Sequence, residues 1–137
     1  MVSRFPVALL SPLVLPFVLL CALAACGEPA SPEAPAPQLV IVVDDGSGTK
    51  TTWELSCDPV GGTHPEPDAA CQALTEHGET ALAAVPEDQM CTQQYGGPET
   101  ATINGTWQGK PVNSTLSRKN GCEIARWDAL KGLLPAH

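Results

Sequence analysis

The chain has 137 residues with 15 Asp and Glu against 7 Lys and Arg, a formal charge of −8. That balance excludes nucleic acid as a partner, because a phosphate backbone demands clustered cations and none occur here; anionic lipid surfaces would repel the chain for the same reason. One Tyr, two Phe and three Trp supply little to fill a core, so one small domain with covalent staples is expected.

Residues 1–25, from Arg4 through a run of Val, Leu, Phe and Ala to Ala25, read as a secretory signal rather than as structure. At its end Leu23-Ala24-Ala25-Cys26 is similar to the bacterial lipobox, in which cleavage before the cysteine exposes its thiol for lipid attachment. Ordinary signal cleavage at Ala22-Leu23-Ala24 competes, but it would leave Cys26 as an odd thiol in a secreted protein. Lipidation of Cys26 is the expectation adopted, with free secretion as its alternative. Both put the mature protein outside the cytoplasm, and only the lipid would hold it at a membrane. Loss of Arg4 takes the net charge from −8 to −9.

Residues 26–37, with Pro29, Pro32, Pro35 and Pro37 among Ala, Ser and Glu, form a spacer that cannot bury a core. The domain then occupies residues 38–137. Leu39, Ile41 and Val43 alternate with Val40 and Val42 in a strand-length apolar run, which Asp44-Asp45-Gly46-Ser47-Gly48 ends with turn residues. Trp53, Leu55 and Cys57 share one face of a return strand against Glu54 and Ser56. Asp58 to Pro65 reads as loop, and Pro67 opens a helix to Glu76 with Gly78 beyond its end. Cys71 and Leu74 lie on one face of that helix. A second short helical piece is expected near Ala81 to Val85.

The segment Met90-Cys91-Thr92-Gln93-Gln94-Tyr95-Gly96-Gly97-Pro98 follows: a polar loop with a cysteine near its start, ahead of strand-like sequence. Thr100 to Ile103 and Thr106-Trp107 read as strand, Gln108-Gly109-Lys110-Pro111 as a turn, and Val112 to Leu116 as the strand that completes a hairpin. Asn120 caps a helix running from Gly121 or Cys122 to Leu130, with Glu123 as its capping-box partner. No internal repeat is visible.

Of six cysteines, Cys21 and Cys26 fall within or at the edge of the signal, leaving four for the fold. An even count in an exported chain implies disulfides, and four cysteines allow three connectivities. The sequential pairing, Cys57 with Cys71 and Cys91 with Cys122, is the one adopted. Cys122 would then lock the loop that carries Gln93 and Gln94. An exposed, extended loop immobilised in advance is what a substrate-mimicking protease inhibitor needs, since its ordering entropy no longer opposes binding.

Several blocks, in this order, resemble the Streptomyces subtilisin inhibitor family of serine protease inhibitors, from about Leu39 to at least Arg126. They are Leu39-Val40-Ile41-Val42-Val43; Leu55-Ser56-Cys57-Asp58-Pro59 with Gly62-Thr63-His64-Pro65 and Cys71; Met90, Cys91 and Tyr95; Trp107-Gln108-Gly109; and Cys122-Glu123-Ile124-Ala125. The resemblance implies an α+β fold, an antiparallel sheet with two helices, often a sheet-mediated homodimer, and inhibition of subtilisin-like proteases by the substrate-like standard mechanism. It carries the scissile bond to Gln93–Gln94, with Gln93 entering the primary specificity pocket and Met90 an apolar subsite three residues upstream; Cys91, Thr92 and Tyr95 complete the reactive loop. Asn120 matches the asparagine that braces this loop. Two departures stand out: the prototype has a large apolar residue where Gln93 stands, and a shorter Tyr-Asp-Pro where this chain has Tyr95-Gly96-Gly97-Pro98.

Other chemistries fit poorly. His64 lies six residues after Cys57 and seven before Cys71, which is not zinc-ligand spacing, and Asp44-Asp45-Gly46 lacks the alternating acids and distal Glu of a calcium loop. No metal or cofactor is expected. Asn104-Gly105-Thr106 and Asn113-Ser114-Thr115 match a glycosylation pattern but read better as hairpin residues, and neither Ser47 nor Ser56 has a nucleophile's context, so an enzyme is not expected. The alternatives to inhibition are a glutamine donor for a transglutaminase, which such inhibitors serve as a family, and a surface binding module without a protease target.

Overall fold

The computed structural model describes residues 36–136, so the signal, Cys26 and all but the last two residues of the spacer lie outside it. Apolar alternation in β1 (Leu39–Asp44) makes it the centre of an antiparallel sheet. It pairs with β2 (Lys50–Cys57) on one side and β4 (Thr100–Trp107) on the other; β3 (Val60–Gly62) extends beyond β2 and β5 (Lys110–Ser117) beyond β4, in the order β3-β2-β1-β4-β5. The register sets Leu39 opposite Leu55, Ile41 opposite Ile103 and Ala101 opposite Leu116. These residues form one buried face, closed by Ala70, Cys71 and Leu74 of α1 (Pro67–Ala81), Trp127 of α2 (Gly121–Ala129), and Leu130, Leu133 and Leu134. The α+β reading, an antiparallel sheet with two helices stapled by disulfides, is what the structure has.

Two disulfides tie the layers together. Cys57–Cys71 joins the end of β2 to α1, and Cys91–Cys122 joins the segment after α1 to the first turn of α2. Two buried polar side chains add further links. The Arg126 guanidinium donates to the carbonyls of Ala81 (2.9 Å) and Thr115 (3.2 Å), to Glu123 Oε2 (2.8 Å) and to Ser114 Oγ (3.1 Å), so one cation joins α1, β5 and α2. His64 accepts the Glu66 N–H on Nδ1 (3.1 Å), so its Nε2 carries the proton and donates to the Leu133 carbonyl at 3.0 Å. The buried side chains of Arg126 and His64 are thereby hydrogen-bonded where they are desolvated.

Several boundaries differ from the sequence expectations. Helix α1 continues through Gly78 to Ala81. Gly78 is a close-approach site rather than a stop: a Cβ there would sit 3.1 Å from Trp107 Nε1. The separate short helix near Ala81 to Val85 is absent; α1 ends at Ala81 and the chain bends at Leu82 and Ala83 and continues without regular structure to Pro86, which disfavours helical backbone at the residue before it. Val60 to Gly62, expected as loop, is edge strand. Strand β4 is continuous through Asn104 and Gly105, and β5 begins at Lys110, two residues early. Pro111 is tolerated there because β5 is an edge and needs no donor on its outer side. The turn itself is Gln108-Gly109, both with positive φ (50° and 75°), the backbone a two-residue hairpin requires.

The acidic turn after β1 is also explained locally. Asp45 Oδ1 accepts from Ser47 N–H (2.8 Å), Ser47 Oγ (2.8 Å) and Thr49 N–H (3.1 Å). The Ser47 hydroxyl, followed by the backbone donors, holds this carboxyl below the usual aspartate value. Turn chemistry accounts for these acids.

Candidate functional site

Between the end of α1 and the start of β4, residues 82–99 contain no helix or strand. A connection this long in a small domain is uncommon unless it has a task. Gln93, Gln94 and Thr92 are exposed, Met90 is 94% exposed and Tyr95 67% exposed. Exposing Met and Tyr to this degree forfeits burial that each would otherwise contribute.

The loop is nevertheless held at defined points. Upstream, Cys91 is bonded to Cys122, with 5.4 Å between their Cα atoms, and the Thr92 carbonyl accepts the Gly121 N–H at 3.1 Å. Gly121 is the first residue of α2, so an otherwise unpaired donor of a helix N-terminus holds the carbonyl immediately before Gln93. A side chain at 121 would run into Thr92 Oγ1, which makes glycine a requirement of this approach. Downstream, the Gly96 N–H donates to the Arg118 carbonyl at 2.7 Å. Gln93, Gln94 and Tyr95 span the interval between these ties, side chains outward.

Asn120 starts α2 with extended backbone (φ −156°, ψ 172°), and its Oδ1 accepts the Glu123 N–H at 3.0 Å. The cap is therefore formed, while the Glu123 carboxylate goes to Arg126. Asn120 also lines, with Met90, Cys91, Gln93, Lys119 and Glu123, the depression beneath the loop. Among the described residues its side chain makes no hydrogen bond to the loop itself, so the bracing role rests on proximity. Asn120→Ala is expected to lower stability by about 1 kcal/mol through loss of the cap, read as a fall in the thermal midpoint. An unchanged midpoint would show that the cap bond contributes nothing.

Sequence reasoning missed Arg118, Glu99 and Gly121. Arg118 and Glu99 form an ion pair (3.6 Å) beneath the downstream half of the loop, with side chains only 12% and 19% exposed. A charged residue adjoining the predicted end of β5 reads as surface, and only the fold sets it opposite Glu99, the residue just before β4. Gly121 was legible only as a helix-start residue. Among the described residues no group of three or more His, Cys, Asp or Glu side chains is arranged to hold a metal ion.

The sequence model of the family described as "Subtilisin inhibitor-like" matches residues 35–120. The chain is 39% identical over 79 residues to subtilisin inhibitor-like protein 1 of Streptomyces cacaoi, covering 55% of this chain and 71% of that one. It is 37% identical over 119 residues to the subtilisin inhibitor of Streptomyces violaceus, covering 76% and 81%. Among solved structures it is similar to Streptomyces caespitosus sermetstatin in complex with Bacillus licheniformis subtilisin, at 30% identity and a TM-score of 0.45, covering 72% of this chain and 96% of that one.

Proposed function

The chain belongs to the subtilisin inhibitor-like family, and on that premise we propose that it inhibits subtilisin-like serine proteases by offering the Gln93–Gln94 bond as bait. It acts as a binding protein and not as an enzyme. One observation carries the assignment of the bond: the exposed run Gln93-Gln94-Tyr95 lies between a disulfide and Thr92–Gly121 tie upstream and the Gly96–Arg118 tie downstream. A loop held on both sides enters an enzyme cleft as an extended strand without losing further conformational entropy.

The chemistry follows from the two ties. The protease's seryl oxygen adds to the Gln93 carbonyl, the C–N bond to Gln94 breaks, and the seryl proton ends on the Gln94 nitrogen. Because the scaffold keeps both new ends in place, the amine remains beside the acyl ester at high effective concentration and re-forms the peptide bond. Hydrolysis is thereby outrun. The relatives' names speak for protease inhibition, and nothing observed favours the transglutaminase-donor or target-free alternatives.

Titration of subtilisin with the protein tests this directly. Activity should fall in proportion to added protein, and prolonged incubation should yield a new N-terminus at Gln94. Degradation of the protein with the enzyme still active, or a first cut elsewhere, would overturn the reading.

Export and anchoring belong to the same proposal and rest on sequence alone. Leu23-Ala24-Ala25-Cys26 supports a mature chain that begins at a lipidated Cys26, with the proline-rich spacer holding the domain off the membrane. Mass spectrometry of the mature terminus decides between this and free secretion. A homodimer through the outer sheet face is supported by Val40 and Val42, half-buried apolar residues in register with Thr52, Glu54, Thr102 and Asn104. Sedimentation of the wild type against Val42→Lys is the check; equal masses would remove it.

A further inference from the structure

We propose that Arg118, through its ion pair with Glu99, is a positioning residue for the downstream half of the bait loop, and that it keeps the Gln94 amine in place for resynthesis of the cleaved bond. The inference rests on the inhibitory reading above.

The arrangement is built rather than incidental. Arg118 Nη1 lies 3.6 Å from Glu99 Oε2, and both side chains are nearly withdrawn from solvent. On the backbone side the same residue, Arg118, accepts the Gly96 N–H at 2.7 Å. One arginine thus meets the loop twice, by its carbonyl at Gly96 and by its guanidinium at Glu99. The loop backbone passes close over Ile124 and this pair: a Cβ at Gly96 would sit 3.0 Å from the Ile124 side chain and 3.2 Å from Arg118 Cβ, and one at Gly97 would run into Glu99 Oε2. Gly97 takes a φ of 145°, which side chains rarely adopt, so residues 96 and 97 are small where the chain must lie flat over the charges.

Energetics favour position over stability as the role. A buried ion pair gains little net stability, because desolvation offsets the attraction, and apolar replacements of similar volume are often as stable. Here Arg118 Nε is buried without a hydrogen-bond partner among the described residues, which adds to the cost. What the pair does supply is a fixed geometry. Upstream, the Cys91–Cys122 bond holds the acyl side covalently. Downstream there is no such bond in the loop, and once the peptide is cut the Gln94 end is retained by the Gly96–Arg118 tie and the pair beneath it. Loss of that hold lets the amine drift, so water competes for the acyl ester and the inhibitor turns over.

The test compares wild type with Arg118→Met and with the double variant Arg118→Met/Glu99→Leu, which removes both charges and so avoids an unpaired buried carboxylate. Three quantities are read: the thermal midpoint, the exchange rate of the Gly96 amide in the free protein, and the rate at which subtilisin cleaves Gln93–Gln94 in the complex. The double variant should keep the wild-type midpoint, exchange Gly96 about tenfold faster and be cleaved about tenfold faster as the hold on the Gly96–Arg118 backbone bond loosens, with the association rate unchanged. Normal Gly96 exchange with normal cleavage would overturn the inference. So would faster cleavage accompanied by a fall in midpoint equal to the whole effect, since that is general loosening. Should the wild type itself fail to inhibit, the functional reading falls, and Gly96 exchange still decides whether Arg118 positions the loop.

Discussion

Replacing both Cys91 and Cys122 by Ser is expected to convert the protein from an inhibitor into a substrate of subtilisin while lowering its stability by about 3–4 kcal/mol. The bridge closes a 31-residue interval, and the loss follows from the entropy the unfolded chain regains on the loop-closure account. The functional loss has a separate origin. Without the bridge, Gln93-Gln94-Tyr95 must be ordered by the protease, and the acyl half of a cleaved loop departs freely. A stability-matched control separates the two effects. Cys57→Ser/Cys71→Ser opens a 14-residue interval at the other end of α1, at a cost of about 3 kcal/mol, and leaves the loop's ties untouched. Denaturant midpoints of the two variants should fall by similar amounts, yet only the loop variant should be consumed by subtilisin under conditions where both are folded. Equal inhibition by the two would remove the disulfide from the mechanism.

Gln93→Lys is expected to redirect the protein to trypsin, with a gain in affinity on the order of 10³-fold over wild type from pairing the new cation with the carboxylate at the base of that enzyme's pocket. One side chain can do this because the rest of the loop contributes strand-like backbone contacts that serve either enzyme. The companion change, Gln93→Leu, should tighten binding to an apolar-pocket subtilisin by about fivefold, through removal of the cost of burying an incompletely paired amide. Inhibition constants of the wild type and both variants against the two enzymes form the measurement. If neither substitution shifts the ratio of trypsin to subtilisin inhibition, Gln93 does not occupy the primary pocket and the reactive bond lies elsewhere.

Much of this architecture was legible in the sequence. Period-two alternation in Leu39–Val43 and in Trp53, Leu55 and Cys57 marked central strands, because a half-buried sheet has no other way to segregate its faces. Asn120 three residues before Glu123 marked a helix start through the local chemistry of capping, which needs no distant partner. Where local and tertiary demands diverged, sequence reasoning stopped short. Gly78 looked like the end of α1, and it became an interior helical residue because Trp107, far along the chain, packs onto it. Val60 to Gly62 carried no strand signal of its own and pairs because β2 offers an open edge.

The candidate site divides in the same way. The sequence by itself determined that a polar loop carries Gln93 and Gln94 two and three residues after a cysteine, and that later cysteine and asparagine residues are available to restrain it. Only the tertiary structure decided how the restraint works: Gly121 N–H on the Thr92 carbonyl, Gly96 N–H on the Arg118 carbonyl, and the Arg118–Glu99 pair below. Each of these joins residues 19 or more positions apart through a backbone group or a withdrawn charge. Backbone donors look the same at every position of a sequence, and a charge reads as solvated until a fold brings its partner beneath the same surface, so such contacts become visible only when the chain has closed on itself.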